Sequence, residues 1–115
     1  MKFLCLAYGA EKDWLALTPQ QQQDLLAQDD VLRKRGAFMS AVEQGVTTVT
    51  AWDGEPSTSS ESFAKASAPL AGFSIIEAAD IDEAVQLVAG TPCARARGAI
   101  EIRPLMQTGS DRGGA

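Results

Sequence analysis

Apolar and polar residues are patterned along this chain in two ways, and together the two patterns predict an α+β fold. Short segments are apolar throughout or alternate between apolar and polar, which is typical of strands. The predicted strands span residues 2–8, 37–42, 46–52, 72–77 and 99–103. Residues 2–8 and 72–77 carry apolar side chains on both of their alternating faces, so these two strands are predicted to be covered on both sides.

Two helices have clear start and stop signals. Thr18 followed by Pro19 predicts an N-cap with proline at the first helical position, and Gly36 predicts the end of that helix. Asp80, with Glu83 three residues later, is a carboxylate analogue of the capping box, and a Gly-Thr-Pro sequence ends the second helix. The apolar positions predicted to face the core are Leu25, Leu26 and Leu32 in the first helix and Ile81, Ala84, Val85 and Val88 in the second.

The remaining segments are less regular. Residues 11–17 are predicted to form a connector. Residues 55–68 are rich in Ser and Ala and have little periodicity, so a loop, a ragged edge strand and a partly mobile segment are all open interpretations. The single domain is predicted to span residues 1–105, with residues 106–115 as a flexible tail.

The order of the elements predicts a ferredoxin-like βαββαβ fold built from two strand–helix–strand halves. Both helices are expected to cover one face of an antiparallel sheet. The opposite face of that sheet still carries apolar side chains, which water should not contact over a large area. The simplest cover is the same face of a second copy, so the chain is predicted to form a homodimer.

Composition and charge narrow the possible functions. An apolar content of 45% and a charged content of 22% over 115 residues are typical of one soluble globular domain. A net charge of -5 argues against nucleic acid as a partner. No apolar run approaches the length of a membrane span, so a cytoplasmic protein with reduced thiols and no membrane partner is expected.

The absence of histidine limits the chemistry further. With no His and two Cys, the sequence excludes Ser–His and Cys–His nucleophile pairs and argues against a zinc site. We therefore expect no metal and no cofactor. Cys5 is predicted to be a small core residue. Cys93, close to Arg95 and Arg97, is either a reactive thiol with a lowered pKa or an ordinary loop residue.

Asp29 is the first candidate for proton transfer. Helical spacing places it between Leu25 and Leu32, within the predicted apolar stripe. A carboxyl buried there, or turned into a cavity, would have a raised pKa. Alternatively, the apolar stripe is rotated and Asp29 lies at its solvated edge.

Four further residues are candidates for ligand binding. If Ile100 packs on the helices, Glu101 and Arg103 point to the other side of the sheet, where they could bind a small polar ligand. They could equally form a structural ion pair or an exposed edge. Tyr8 and Trp14 flank the end of the first strand, where they would line the rim of a ligand site or pack as core and lid residues.

Several short motifs, in this order along residues 1–105, resemble those of the YCII-related proteins, in the branch called DGPF. They are the strand over residues 1–8, Trp14, Thr18-Pro19, Gly36, Thr47-Thr48-Val49, Asp53-Gly54, Leu70-Ala71-Gly72-Phe73, Ile81-Asp82-Glu83-Ala84 and Ile100-Glu101-Ile102-Arg103-Pro104. The resemblance implies a ferredoxin-like subunit in a dimeric α+β barrel. It also implies an association with alternative sigma factors, as is common in that branch.

The resemblance breaks where the branch has its naming motif. That motif is Asp-Gly-Pro-Phe-Ala-Glu-Thr-Lys-Glu, whereas residues 60–68 here read Ser-Glu-Ser-Phe-Ala-Lys-Ala-Ser-Ala, so the motif is degraded and only Phe63 and Ala64 are retained. The His–Asp pair proposed for YCII itself cannot form in a chain without histidine.

Three functional hypotheses follow from the sequence. The first is a homodimer that binds a small molecule between its sheets, with little or no catalytic machinery. The second is a cofactor-free enzyme in which Asp29 or Glu101 transfers a proton and Arg103 stabilises negative charge. The third is a regulatory interaction module linked to a sigma factor.

Overall fold

A computed structural model of the chain describes residues 1–106, and residues 107–115, which hold most of the predicted tail, lie outside the described residues. The strands, in chain order, are β1 (Lys2–Tyr8), β2 (Phe38–Ala41), β3 (Thr48–Thr50), β4 (Ser57–Ser59), β5 (Leu70–Glu77) and β6 (Ala99–Pro104). The helices are α1 (Glu11–Leu15), α2 (Pro19–Lys34), α3 (Ile81–Val88) and α4 (Pro92–Arg95).

The main sheet has four strands in the order β2-β5-β1-β6, and every neighbouring pair is antiparallel. The two apolar strands, β1 and β5, lie at the centre, and β2 and β6 form the edges. This is the strand order of a ferredoxin-like fold, so the predicted fold class is confirmed.

The strand predicted over residues 46–52 does not join this sheet. Its central part, β3, pairs instead with β4, opposite Ser57, Thr58 and Ser59, in a separate two-stranded hairpin. Thr48 and Thr50 occupy one face of β3 and Val49 alone the other, so this strand has little apolar surface to bury under the helices. Residues 55–68, for which a loop and an edge strand were both possible, contain β4. The predicted connector over residues 11–17 contains the short helix α1.

The predicted helix caps are present. At the start of α2, the Thr18 hydroxyl oxygen accepts a hydrogen bond from the Gln21 backbone N–H at 3.1 Å, and the Gln21 side chain accepts one from the Thr18 N–H at 2.8 Å. At α3, the Asp80 carboxylate accepts from the Glu83 N–H at 2.9 Å. The Glu83 carboxylate reaches back to the Ala79 N–H at 2.7 Å, one residue further than in the usual capping box. These bonds satisfy donors that the first helical turn leaves unpaired.

The core lies between one face of the main sheet and helices α2 and α3. Phe3, Cys5 and Ile76 project from the central strands and pack against Leu32 of α2 and against Ala84 and Val88 of α3. The apolar stripe of α3 that faces the sheet is therefore narrower than the sequence predicts. Ile81 and Val85 are exposed, because Ala84 and Val88, four residues apart, already occupy the side of this short helix that faces the sheet.

The opposite side of the main sheet, which we call the open face, has no helix over it within the described part of the chain. Cross-strand pairing puts Leu4 beside Ile75 and Leu6 beside Phe73, so this side is apolar along both central strands. Phe38 of β2 is exposed there and lies against Phe73, with ring centroids 5.7 Å apart. The open face is therefore an apolar surface that the rest of this chain leaves in contact with water.

We predict that Leu32→Ala lowers the free energy of unfolding by about 2–5 kcal/mol, because it removes a side chain that is 1% exposed at the centre of the core. Urea denaturation of the purified protein measures this change. Leu26→Ala, on the same helix but 49% exposed, is the matched control and should cost much less. Equal losses for the two variants would contradict this description of the core.

Candidate functional site

A cavity of about 300 Å³ lies between the helix-covered face of the sheet and helices α2 and α4. Most of the side chains around it are apolar. The residues on which its chemistry depends are Cys5, Leu26, Asp29, Ser74, Thr91 and Cys93. We call this space the Asp29 cavity.

Small residues on three adjacent strands create the space. Ala7 of β1, Gly72 of β5 and Ala41 of β2 lie directly opposite one another across the sheet. A side chain at Gly72 is excluded, because a Cβ there would be 2.7 Å from the Ser40 carbonyl oxygen of β2. On these three strands no side chain fills the space under α2, and only β6 adds a larger residue to the row, Ile100 opposite Ala7.

Asp29 is the acidic group in the wall of the cavity. It is half-buried on α2, and burial raises the pKa of its carboxyl, an effect that Arg33 opposes and Asp30 increases. The guanidinium of Arg33 donates to the Asp30 carboxylate at 2.9 Å. The sequence allows Asp29 either in a cavity or at the solvated edge of the helix. The structure places it in the wall of the cavity.

Cys93 of α4 lines the same cavity. Burial raises the pKa of its thiol, and the negative charge of Asp29 raises it further. The pKa of this thiol is raised and not lowered, so Arg95 and Arg97 do not activate it. The thiol of Cys93 is thus protonated at neutral pH, unlike that of a reactive cysteine.

The wall that carries Cys93 is held in place by close backbone contacts. A Cβ at Gly98 would collide with the carbonyl oxygens of Tyr8 and Cys93, and one at Gly9 would lie 3.1 Å from the Cys93 sulfur. The turn before Gly98 is also tight, because Arg97 has a positive φ of 62°. These contacts bring α4 against the end of β1.

The structure does not bring the other predicted site residues to the Asp29 cavity. Glu101 and Arg103 lie on the open face, opposite Leu6 and Leu4 respectively. Their side chains form an ion pair, with 3.5 Å between Arg103 Nη2 and Glu101 Oε1, and both are exposed. This is the arrangement considered in the sequence analysis as a structural ion pair.

Tyr8 and Trp14 are half-buried but do not line the cavity either. Tyr8 ends β1, and the carbonyl of Trp14 accepts a hydrogen bond from the Gln22 side chain at 3.0 Å. Among residues 1–106, no three His, Cys, Asp or Glu side chains are grouped as they would be to hold a metal ion. No helix in that range is long and apolar enough to cross a membrane.

The chain belongs to the family of YCII-related domains, whose sequence model matches residues 1–108. No protein with a curated description matches it. Among solved structures, the chain is similar to 5-chloro-2-hydroxyhydroquinone dehydrochlorinase (TftG) from Burkholderia phenoliruptrix AC1100, which was solved in complex with 2,5-dihydroxybenzoquinone. The two are 18% identical, the match covers 92% of this chain and 94% of that chain, and the TM-score is 0.48.

We predict that Asp29→Asn raises the free energy of unfolding at neutral pH. The folded protein holds the Asp29 proton more tightly than the unfolded chain, so the wild type loses stability as pH rises from the ordinary carboxyl range through the raised pKa. The variant lacks this loss. The difference in free energy of unfolding between the variant and the wild type should therefore shrink as pH falls below the ordinary range of carboxyl pKa values. There the Asp29 carboxyl is protonated in both the folded and the unfolded state.

Urea denaturation over a series of pH values measures this effect. Asp24→Asn is the matched control, because Asp24 is an exposed residue of the same helix. A stability difference between Asp29→Asn and the wild type that does not change with pH would contradict the prediction.

Proposed function

We propose that this protein binds a small, largely apolar molecule in the Asp29 cavity. The observation that carries the proposal is the combination of an apolar cavity of about 300 Å³ with a half-buried carboxyl whose pKa is raised. Ligand sites typically have this composition, with apolar walls and a few polar groups that fix the orientation of the ligand. The volume, at the small end of such sites, suits a molecule about the size of a substituted aromatic ring.

The polar groups of the cavity define the chemistry of this ligand. The Thr91 hydroxyl already donates to the Val88 carbonyl at 2.6 Å, and Ser74 is buried opposite Cys5 in the sheet. The Ser40 hydroxyl donates to the Ala41 carbonyl at 2.9 Å, and the Arg33 guanidinium donates to the Asp30 carboxylate at 2.9 Å. Asp29 is therefore the polar group best placed to meet a ligand. When protonated, its carboxyl can donate to a carbonyl or hydroxyl oxygen. A neutral molecule is favoured, because most of the wall is apolar and the two charged residues that line it, Asp29 and Arg33, carry opposite charges.

A cofactor-free proton-transfer enzyme is the second candidate, and the raised pKa of Asp29 favours it. A carboxyl whose pKa lies closer to neutrality is a better general acid or base. Glu101, the alternative proton-transfer group, is paired with Arg103 on the other side of the sheet. The pH series described for Asp29 also tests this candidate, and a carboxyl that titrates in its ordinary range would remove it.

A homodimer through the open face is part of the same proposal. The apolar pairs Leu4–Ile75 and Leu6–Phe73 would be buried by the same face of a second copy. A ligand site between two such sheets stays a prediction from the sequence, as do the cytoplasmic location and the link to a sigma factor.

We predict that neutral aromatic compounds stabilise the protein against heat and that Leu26→Trp abolishes this stabilisation by filling the cavity. Leu26 is half-exposed at the cavity wall, so the larger ring can be accommodated without disturbing the core. A thermal-shift screen of small phenols, quinones and aromatic ketones measures the effect. Leu15→Trp, at an exposed position on α1, is the control and should keep the response. A screen without any stabilising compound would contradict the proposal.

We predict that the wild type is a dimer at micromolar concentration and that Phe38→Glu makes it monomeric. A charge at this position would have to be buried, without a partner, between the two open faces. Multi-angle light scattering gives the mass of each protein. Leu15→Glu serves as the control, because it adds the same charge at an exposed position off the open face. A wild type that stays monomeric would overturn the dimer.

A further inference from the structure

The chain between β2 and β5 projects from the sheet as an arm, which we define as residues 43–69 and which contains the β3–β4 hairpin. Within this segment only Thr48, Thr50 and Ala68 are not exposed. The radius of gyration is 16.1 Å, whereas a compact domain of this length has about 13 Å. The longest dimension of the molecule is 51 Å and the shortest is 19 Å. The arm accordingly extends away from the core.

The arm carries the most exposed aromatic side chains of the described residues. Trp52 is 91% exposed, Phe63 is 79% exposed, and Val49 of β3 is 59% exposed. A two-stranded hairpin alone is at best marginally stable in water, so it needs a surface to pack against. Apolar side chains clustered on such an element, away from the core, are typical of a protein–protein contact.

The size of the open face indicates what the arm contacts. Four strands spaced about 4.8 Å apart, with the longest of eight residues, give a face of at most about 19 by 26 Å, or roughly 500 Å². A stable interface buries about 800 Å² on each partner. The open face by itself is thus small for an interface, and a second surface beside it would enlarge the contact.

The arm leaves the main sheet at the edge formed by β2. Both of its ends are joined to this edge, since the Val42 N–H, just before the arm, donates to the Ala71 carbonyl, just after it, at 3.0 Å. Phe38, the exposed ring of the open face, belongs to the same edge strand. The arm is therefore attached beside the open face, so that a partner on this face would also be within reach of the arm.

We propose that the arm packs against a second copy of this chain and buries Trp52 and Phe63 on it. The inference rests on the proposed dimer through the open face and enlarges that interface. Under twofold symmetry the arm of each copy packs against the other copy, so the interface area that one arm adds occurs twice in the dimer.

The two tryptophans of the chain allow a direct test. In a Trp14→Phe background, Trp52 is the sole tryptophan and reports on the arm. As protein concentration rises through the range in which light scattering shows the dimer forming, the emission of Trp52 should move to shorter wavelength. Quenching by acrylamide should decrease in the same samples.

Substitutions in the arm give an independent measurement. Trp52→Ser and Phe63→Ser should each weaken the dimer by about tenfold or more in its dissociation constant, as expected for buried aromatic anchors. Both side chains are exposed within the chain, so the fold of the monomer is retained, and urea denaturation under dilute conditions verifies this. Ile81→Ser, at an exposed apolar position on α3, is the control and should leave the dissociation constant unchanged.

The results of these experiments distinguish a failure of the arm contact from a failure of the dimer itself. A dimer in which Trp52 stays fully quenchable and Trp52→Ser has no effect would overturn the arm contact and leave the dimer through the open face standing. A chain that is monomeric at every concentration would overturn both. Shielding of Trp52 only by a different protein, on a monomeric chain, would also overturn the inference.

Discussion

The two central strands, β1 and β5, are apolar on both faces, and the core, the cavity and the proposed interface all follow from this property. A sheet with such strands at its centre has to be covered twice. The chain supplies helices for one side only, where Phe3, Cys5 and Ile76 meet Leu32 and Ala84. The other side, with Leu4 and Leu6, has no cover from residues 1–106. Both the core and the proposed interface thus arise from the same strands.

The cavity arises from an exception to close packing on the covered side. Core residues usually fill the space between a helix and a sheet, and a void costs stability in proportion to its volume. Here Ala7, Ala41 and Gly72 leave that space open, while Asp29 brings a carboxyl to its wall. Both features reduce stability, so their presence together at one place is more economically explained by ligand binding than by folding.

Much of this architecture could be predicted from the sequence because it is encoded locally. Helix caps depend on residues three positions apart, and the Thr18 and Asp80 caps are as predicted. The alternation in β6 places Glu101 and Arg103 on one face, opposite the helix-packed Ile100 and Ile102. The position of Asp29 was left open by the sequence, because helical spacing fits both a carboxyl within the apolar stripe and one at its solvated edge.

The remaining features depend on residues that are far apart in the sequence. The cavity requires the registers of three strands, and Ala7, Ala41 and Gly72 are unremarkable until those registers are known. The feature of the sequence that could have indicated the cavity was a row of small residues at matching positions of neighbouring strands. The pairing of β3 with β4 was equally hidden, because two polar strands lack the apolar periodicity that predicts a partner.

The hydrogen bond between Val42 and Ala71 has a consequence for how this protein can change during evolution. It closes the arm into a loop whose ends meet at the sheet, so insertions, deletions and substitutions in the arm need not move the strands or the cavity. Residues 60–68, where the chain departs from the DGPF motif, lie within this loop. Related chains could therefore acquire different assemblies while they retain the same internal cavity, and assembly and ligand preference could diverge independently.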